Sequence, residues 1–238
     1  MKKQMDAIIL VGGLGTRLRK TVPDVPKPLA PINNTPFLQI LMQHMEKYSC
    51  FGKVIFALSY RSEQIISFVE GCPFRFSVAF SIESSPLGTG GAVKKAMQLT
   101  TTEHVFVLNG DTYLDIAYHD FLQNHLHNEA EITIAYRKSD CAKRYGSLKI
   151  DPYSQRILSF SEKTEGEGWI NGGVYLFDRN LFNVFSNDPF SLENNAFPSF
   201  LKKRIYGYHC SSLFIDIGTE QSFHQAQQLL KPLEEMKT

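Results

Sequence analysis

The sequence predicts an α/β protein built on a Rossmann-like, mixed but mainly parallel sheet flanked by helices. Three observations carry that prediction. From Asp6 to Asp111, short apolar runs alternate with segments of helical apolar spacing. Several runs, such as 7–11 and 104–108, are apolar along most of their length, as in strands buried on both faces. Gly12, Glu83 and Asp111 each follow the end of a predicted strand, where open parallel sheets bind their ligands.

The elements follow in order. Asp6 to Val11 reads as the first strand, running into glycines. Pro36 suits the opening of a helix at Thr35, with Phe37, Leu41, Met45 and Tyr48 on one stripe. Lys53 to Leu58 is a second strand. Ser62 is placed to cap a helix through Glu70. Phe74 to Ile82 alternates as a strand does, Gly90 to Leu99 has helical spacing, and His104 to Leu108 is a fourth strand before Asn109-Gly110-Asp111. The second half is more mixed. Ala130 to Tyr136, Gly173 to Phe177 and Leu213 to Ile217 read as strands. The segments 145–150 and 156–160 form a hairpin around Asp151-Pro152-Tyr153-Ser154, and a last helix covers about 220–230. Without a linker or repeat, 1–238 is expected to be one domain, with a nucleotide-binding half over about 1–115 and a smaller sugar-binding, closing half over about 116–238.

Composition narrows the function. The chain has 238 residues, 43% of them hydrophobic, enough for a sizeable core. Net charge is +1 with basic residues dispersed, so no nucleic-acid surface is expected. No apolar run reaches the ~18 residues of a membrane span, and the first residues lack a signal-peptide pattern. Cys50, Cys72, Cys141 and Cys210 are isolated, as expected of reduced thiols in a cytoplasmic protein.

The segment Leu10-Val-Gly12-Gly13-Leu-Gly15-Thr16-Arg17 matches neither common phosphate loop. Its third dinucleotide-fold position is Leu18, and no Gly-Lys pair follows as in an ATPase loop. The chemistry is nevertheless that of phosphate binding. Glycines let backbone N–H groups converge on oxygens, Thr16 adds a hydroxyl and Arg17 a rigid cationic fork. Lys27 is held between Pro26 and Pro28, which stiffen the backbone and aim its amine.

With Pro26-Lys27-Pro28, this segment resembles the opening motif of the sugar-1-phosphate nucleotidyltransferases. The resemblance continues in order through Pro86-Leu87-Gly88-Thr89, Gly110-Asp111, Glu162-Lys163, Asn171-Gly172-Gly173 and Asp216-Ile217-Gly218-Thr219. Over the whole chain it is nearest to the short bacterial heptose 1-phosphate guanylyltransferases. It implies a nucleotidyltransferase (GT-A-like) fold and the reaction of an NTP with a sugar 1-phosphate to give an NDP-sugar and pyrophosphate. Arg17, Lys27, Asp111 and Lys163 are the implied catalytic residues. Leu10, Gly12, Gly13, Gly15, Thr16, Glu83, Pro86, Gly88 and Thr89 would bind the nucleotide. Gly146, Glu162, Lys163, Asn171 and Gly172 would bind the sugar phosphate. Asp111 and Asp216 would hold Mg²⁺, for which Mn²⁺ and other divalent ions can substitute.

Glu83 points to the base. An ionised carboxylate only accepts hydrogen bonds, and guanine presents adjacent N1–H and N2–H₂ donors. Uracil and thymine present one N–H flanked by carbonyls. GTP and a sugar 1-phosphate are therefore the expected partners. Heptose leads over mannose 1-phosphate, and a UTP- or dTTP-dependent enzyme is a further alternative. Lys94 is a competing partner for Glu83. A nucleotide-sensing domain without catalysis is the non-enzyme reading, opposed by the presence of Arg17, Lys27, Asp111, Lys163 and Asp216 together. A homodimer is compatible with the apolar helix faces but not specified by them. His125 and His127, two apart on a helix, do not share a face and read as a surface pair; His44 and His224 lack metal-ligand spacing.

Overall fold

The computed structural model describes residues 4–13, 15, 17–18, 21–59, 61–140, 146–161 and 167–230. The chain runs β1 (Met5–Leu10), β2 (Pro31–Ile32), β3 (Thr35–Pro36), α1 (Phe37–Glu46), β4 (Phe51–Leu58), α2 (Ser62–Glu70), β5 (Ser77–Ile82), α3 (Gly88–Met97), β6 (His104–Asn109), β7 (Thr112–Leu114) and α4 (Tyr118–His127). It continues through β8 (Ile132–Ser139), β9 (Ser147–Ile150), β10 (Ile157–Ser161), β11 (Gly168–Asp178), the single turn α5 (Phe197–Ser199), β12 (Ile205–His209), β13 (Phe214–Asp216) and α6 (Glu220–Leu229).

Nine strands form the main sheet, in the order β10-β9-β11-β6-β1-β4-β5, with β8 on β11 and β12 on β8. β1, β4, β5 and β6 are mutually parallel where they pair. β11 is antiparallel to β6 and β8, and β9 to β10, so the second half extends the same sheet with reversed strands. After β1 the chain builds outward to β4 and β5, then returns to place β6 on the other side of β1. That reversal opens a crevice at the carboxyl ends of β1 and β6, the position where open α/β sheets bind ligands.

Both sheet faces are covered, which explains the continuous apolar strands. Ala7, Ile9, Val54, Phe56, Phe106 and Leu108 face one core with α1, α2 and α4. Ile8, Ile55, Ala57, Val105 and Val107 face the other with α3 and the helical segment 192–202. A third cluster joins Leu18, Ala30, Ile32, Phe37, Tyr113, Ile215 and Phe223. It fastens the segment carrying Lys27, the antiparallel β7–β13 ribbon and α6 to one another.

Several boundaries differ from the expectation. Ser62 lies inside α2 and is buried; Arg61, at φ 56°, occupies the cap position without a side-chain cap bond. Thr35–Pro36 pairs with Pro31–Ile32, so α1 begins only at Phe37. β5 begins at Ser77, and Phe74 stacks on Phe76 ahead of it. β11 starts five residues earlier than Gly173, at Gly168. The 151–154 hairpin turn is as expected: Asp151 Oδ1 accepts from the N–H groups of Tyr153 (3.0 Å) and Ser154 (2.7 Å).

His125 is not part of a surface pair. Tyr118, Phe121, Leu122 and His125 form the buried stripe of α4, while His127 is exposed. The spacing from Tyr118 to His125 is two helical turns, so the imidazole belongs to the inward face. Cys50 and Cys210 are buried thiols and Cys72 is half-buried; Cys141 lies outside the described residues. No described helix is long and apolar enough to cross a membrane.

Candidate active site

A cavity of about 360 Å³ occupies the crevice. The carboxyl end of β1 supplies Leu10, Val11, Gly12 and Gly13; the end of β6 supplies Asn109 and Asp111; Lys27 and Pro28 form another wall. Glu83, Pro86, Gly88 and Thr89 enter from the segment joining β5 to α3. Seven of the expected nucleotide-binding residues thus line one cavity, together with two expected catalytic ones.

Lys27 sits where the Pro-Lys-Pro segment makes one short 3₁₀ turn, Lys27–Leu29, after Pro26 in an extended conformation (φ −62°, ψ 148°). Its ammonium pairs with Asp111 Oδ2. The glycine loop braces the same side chain. Gly15 has φ +59°, and a Cβ there would lie 3.0 Å from Lys27 Cβ. Gly13 has open space where its Cβ would be, leaving its backbone accessible to a ligand. Arg17 is exposed on the turn after the loop and, like Gly15, is not among the lining residues. Thr16 lies outside the described residues.

The β7–β13 ribbon brings Asp216 beside Asp111: Asp216 is in register with Thr112, and the Ile217 N–H donates to the Asp111 carbonyl at 3.0 Å. Asp216 is buried, and its Oδ1 accepts from the Gly218 N–H at 2.7 Å. The Thr112 hydroxyl donates to Asp111 Oδ1 at 3.2 Å. Hard carboxylate oxygens suit a divalent ion of the Mg²⁺ type, and Asp111 already holds one cation, the Lys27 ammonium.

Glu83 stands at the other end of the cavity. Its Oε2 accepts from the Leu87 N–H at 3.1 Å, which fixes the carboxylate against the start of α3. Burial pushes its pKa up, opposed by the Leu87 N–H and the Lys95 charge. Lys94 is not its partner; that ammonium donates to the carbonyls of Phe185 and Ser186 and to Asn187 Oδ1.

The sugar-phosphate residues are more dispersed. Glu162 and Lys163 lie outside the described residues. Asn171 donates from Nδ2 to the Tyr175 hydroxyl (2.8 Å) and accepts at Oδ1 from the Gly173 N–H (2.9 Å). It thereby holds the irregularity between Asn171 and Tyr175 where β11 shifts register on β8. Gly172 is buried, where a Cβ would crowd the Ala135 carbonyl oxygen at 3.0 Å, and Gly146 is exposed with open space around it.

The lining residues that sequence reasoning missed include Ser59, Asn109 and Glu193. Glu193 Oε2 accepts from the hydroxyls of Thr89 (2.9 Å) and Ser191 (2.8 Å), tying segment 192–202 to α3. Asn109 had a signal, its place in Asn-Gly-Asp at a strand end. Glu193 had none, because its approach depends on long-range packing.

A glycine loop and a proline-held lysine paired with Asp111, at the switch point of a Rossmann-like sheet, define an α/β protein with a ligand crevice at its strand ends. A profile of the nucleotidyl transferase family matches residues 6–232, and the chain belongs to that family. It is 39% identical over 230 residues to D-glycero-alpha-D-manno-heptose 1-phosphate guanylyltransferase of Aneurinibacillus thermoaerophilus, covering 95% of this chain and 99% of that relative. Its fold superposes on the crystal structure of HddC from Yersinia pseudotuberculosis with a TM-score of 0.86, at 36% identity, covering 96% of this chain and all of the other. The same protein complexed with GMP-PN superposes with a TM-score of 0.85 at 35% identity, with the same coverage.

Proposed function

We propose that the protein transfers GMP from GTP to D-glycero-α-D-manno-heptose 1-phosphate, giving GDP-D-glycero-α-D-manno-heptose and pyrophosphate. The observation that carries this reading is the cavity that joins an acceptor-only carboxylate, Glu83, to the Lys27–Asp111 pair. The relatives named above, with near-complete mutual coverage, support the heptose and the guanine. The product would feed synthesis of a surface glycan, in the cytoplasm where GTP is available.

The reaction is an in-line displacement. An oxygen of the sugar phosphate forms a bond to the α-phosphorus while the bond from that phosphorus to the bridging oxygen of the β-phosphate breaks. Phosphate monoesters have a second pKa near 6, so the nucleophile is mostly dianionic at neutral pH and needs no general base. What remains is to align two polyanions and stabilise the transition-state charge. In this reading Lys27 lies by the α-phosphate, Arg17 holds the departing phosphates and Lys163 the sugar phosphate. Glu83 accepts from guanine, and Glu162, Asn171 and the backbone at Gly146 and Gly172 meet the sugar. Mg²⁺ held by Asp111 and Asp216 would neutralise the pyrophosphate as it leaves.

Pyrophosphate release, measured with Mg²⁺ across four NTPs and several sugar 1-phosphates, tests the reading. GTP with the heptose 1-phosphate should give the highest kcat/KM. Preference for mannose 1-phosphate would change the acceptor alone, and no release with any pair would remove the activity.

A further inference from the structure

A second constellation lies at the opposite end of β6. His104 opens that strand, Asp178 closes β11, and the two are direct partners in the antiparallel register. His125 reaches them from α4. His104 Nδ1 is 2.8 Å from Asp178 Oδ1, His125 Nε2 is 3.2 Å from His104 Nδ1, and His125 Nε2 is 3.8 Å from Asp178 Oδ1. We propose that His104, His125 and Asp178 are the protein ligands of one zinc-type divalent ion, at a site separate from the nucleotide cavity.

The geometry suits that ion. Tetrahedral zinc holds imidazole and carboxylate donors at about 2.0–2.2 Å, which puts donor atoms about 3.3–3.5 Å apart. The three separations here bracket that value, so sub-ångström side-chain adjustment completes three corners. Two imidazoles and one carboxylate favour zinc over magnesium, which prefers an all-oxygen shell. The buried His125 ring is oriented from behind: its Nδ1 lies 2.8 Å from the buried Thr133 hydroxyl on β8. Nδ1–H donation to that hydroxyl leaves the Nε2 lone pair facing the other two ligands, the arrangement that second-shell partners give metal-bound histidines. His104 and Asp178 are partly exposed, at 16% and 34% of their side chains, which leaves solvent a route to the fourth position.

The site would pin β6, α4 and β11 together. The strand from His104 to Asn109 separates it from the Asp111 end by about 16 Å. Its expected effect is on stability rather than turnover.

Chelator-treated full-length protein titrated with Zn²⁺ by calorimetry tests this. One equivalent should bind and raise Tm. Asp178→Asn and His104→Gln should each weaken binding at least ~10-fold, with unchanged Mg²⁺-dependent turnover. Absence of stoichiometric binding at tens of micromolar, or undiminished affinity in either folded variant, would overturn the proposal. Zinc-edge X-ray absorption of the wild-type complex gives a readout independent of the variants. Nitrogen and oxygen donors with an imidazole signature are expected, and sulfur ligation would place the ion elsewhere and reject the site.

Discussion

Lys27 and Asp111, distant in sequence, form an ion pair over the carboxyl edge of the sheet. The Lys27 side chain is 12% exposed and that of Asp111 40%, so the lysine is enclosed while the carboxylate still faces the cavity. The pair joins a proline-held turn to the β7–β13 ribbon, through elements packed in one apolar cluster. Asp111 thus already binds one cation at the edge of the cavity.

Lys27→Ala should lower kcat/KM by at least ~10²-fold, the usual loss for one electrostatic donor to a transition state. Asp111→Asn should be at least as damaging. Because the two groups touch, the double variant should lose less than the product of the single losses. Pyrophosphate release under chemistry-limited conditions measures all three; near-normal kcat/KM in Lys27→Ala would contradict its role.

Glu83→Gln should move nucleotide preference from GTP toward UTP or dTTP. The glutamine carbonyl can still accept from the Leu87 N–H, so the start of α3 keeps its anchor. What changes is one acceptor into a donor facing guanine's N–H groups. A mismatched buried polar pair costs about 1–3 kcal/mol, or roughly 5- to 150-fold in relative kcat/KM. Competition between GTP and UTP reads this, and an unchanged ratio would reject the base assignment.

Gly15→Ala should impair catalysis more than folding. At φ +59° an alanine costs about 1–2 kcal/mol, and its Cβ presses on Lys27 Cβ. Displacing that amine by a fraction of an ångström to 1 Å should cost about 10- to 100-fold in kcat/KM. A Tm shift of only a few degrees should accompany it. Full activity would mean that the loop does not set the lysine's position.

The sheet was readable from sequence because burial on both faces leaves uninterrupted apolar strands. Part of the cavity wall was readable too: Gly12, Glu83 and Asp111 are local to strand ends. What sequence did not yield depends on contacts between distant segments. Glu193 reaches the cavity only because segment 192–202 packs on α3. β12 and the helical run over 192–202 lack a clean period of their own and form where tertiary pairing supplies the partner. His125 was legible in principle, since it sits two turns after the buried Tyr118, but its neighbour His127 suggested a surface pair. Asn171 matches a family motif, and its local work here is to hold the β11 irregularity.

His44 on α1 is buried among Tyr48, Tyr113 and Tyr118. Its Nδ1 lies 3.4 Å from the Tyr113 hydroxyl and 3.7 Å from Asp115 Oδ1, while Nε2 is buried with no hydrogen-bond partner among the described residues. Burial takes the ring out of water, which disfavours the protonated form. That desolvation lowers the pKa from 6.5 to about 4, outweighing the attraction of Asp115 and a backbone hydrogen bond with Ile116. Between those values the unfolded chain binds the proton and the native one does not. His44 therefore favours the native state fully above pH 6.5, and that contribution falls away as pH drops toward 4, on the order of 3 kcal/mol over the whole window. His44→Gln removes the titration, so its Tm should fall less steeply between pH 6.5 and 4 than that of the wild type. Thermal unfolding across this range measures the slope, and parallel curves for the two proteins would show that the acid sensitivity arises from another group.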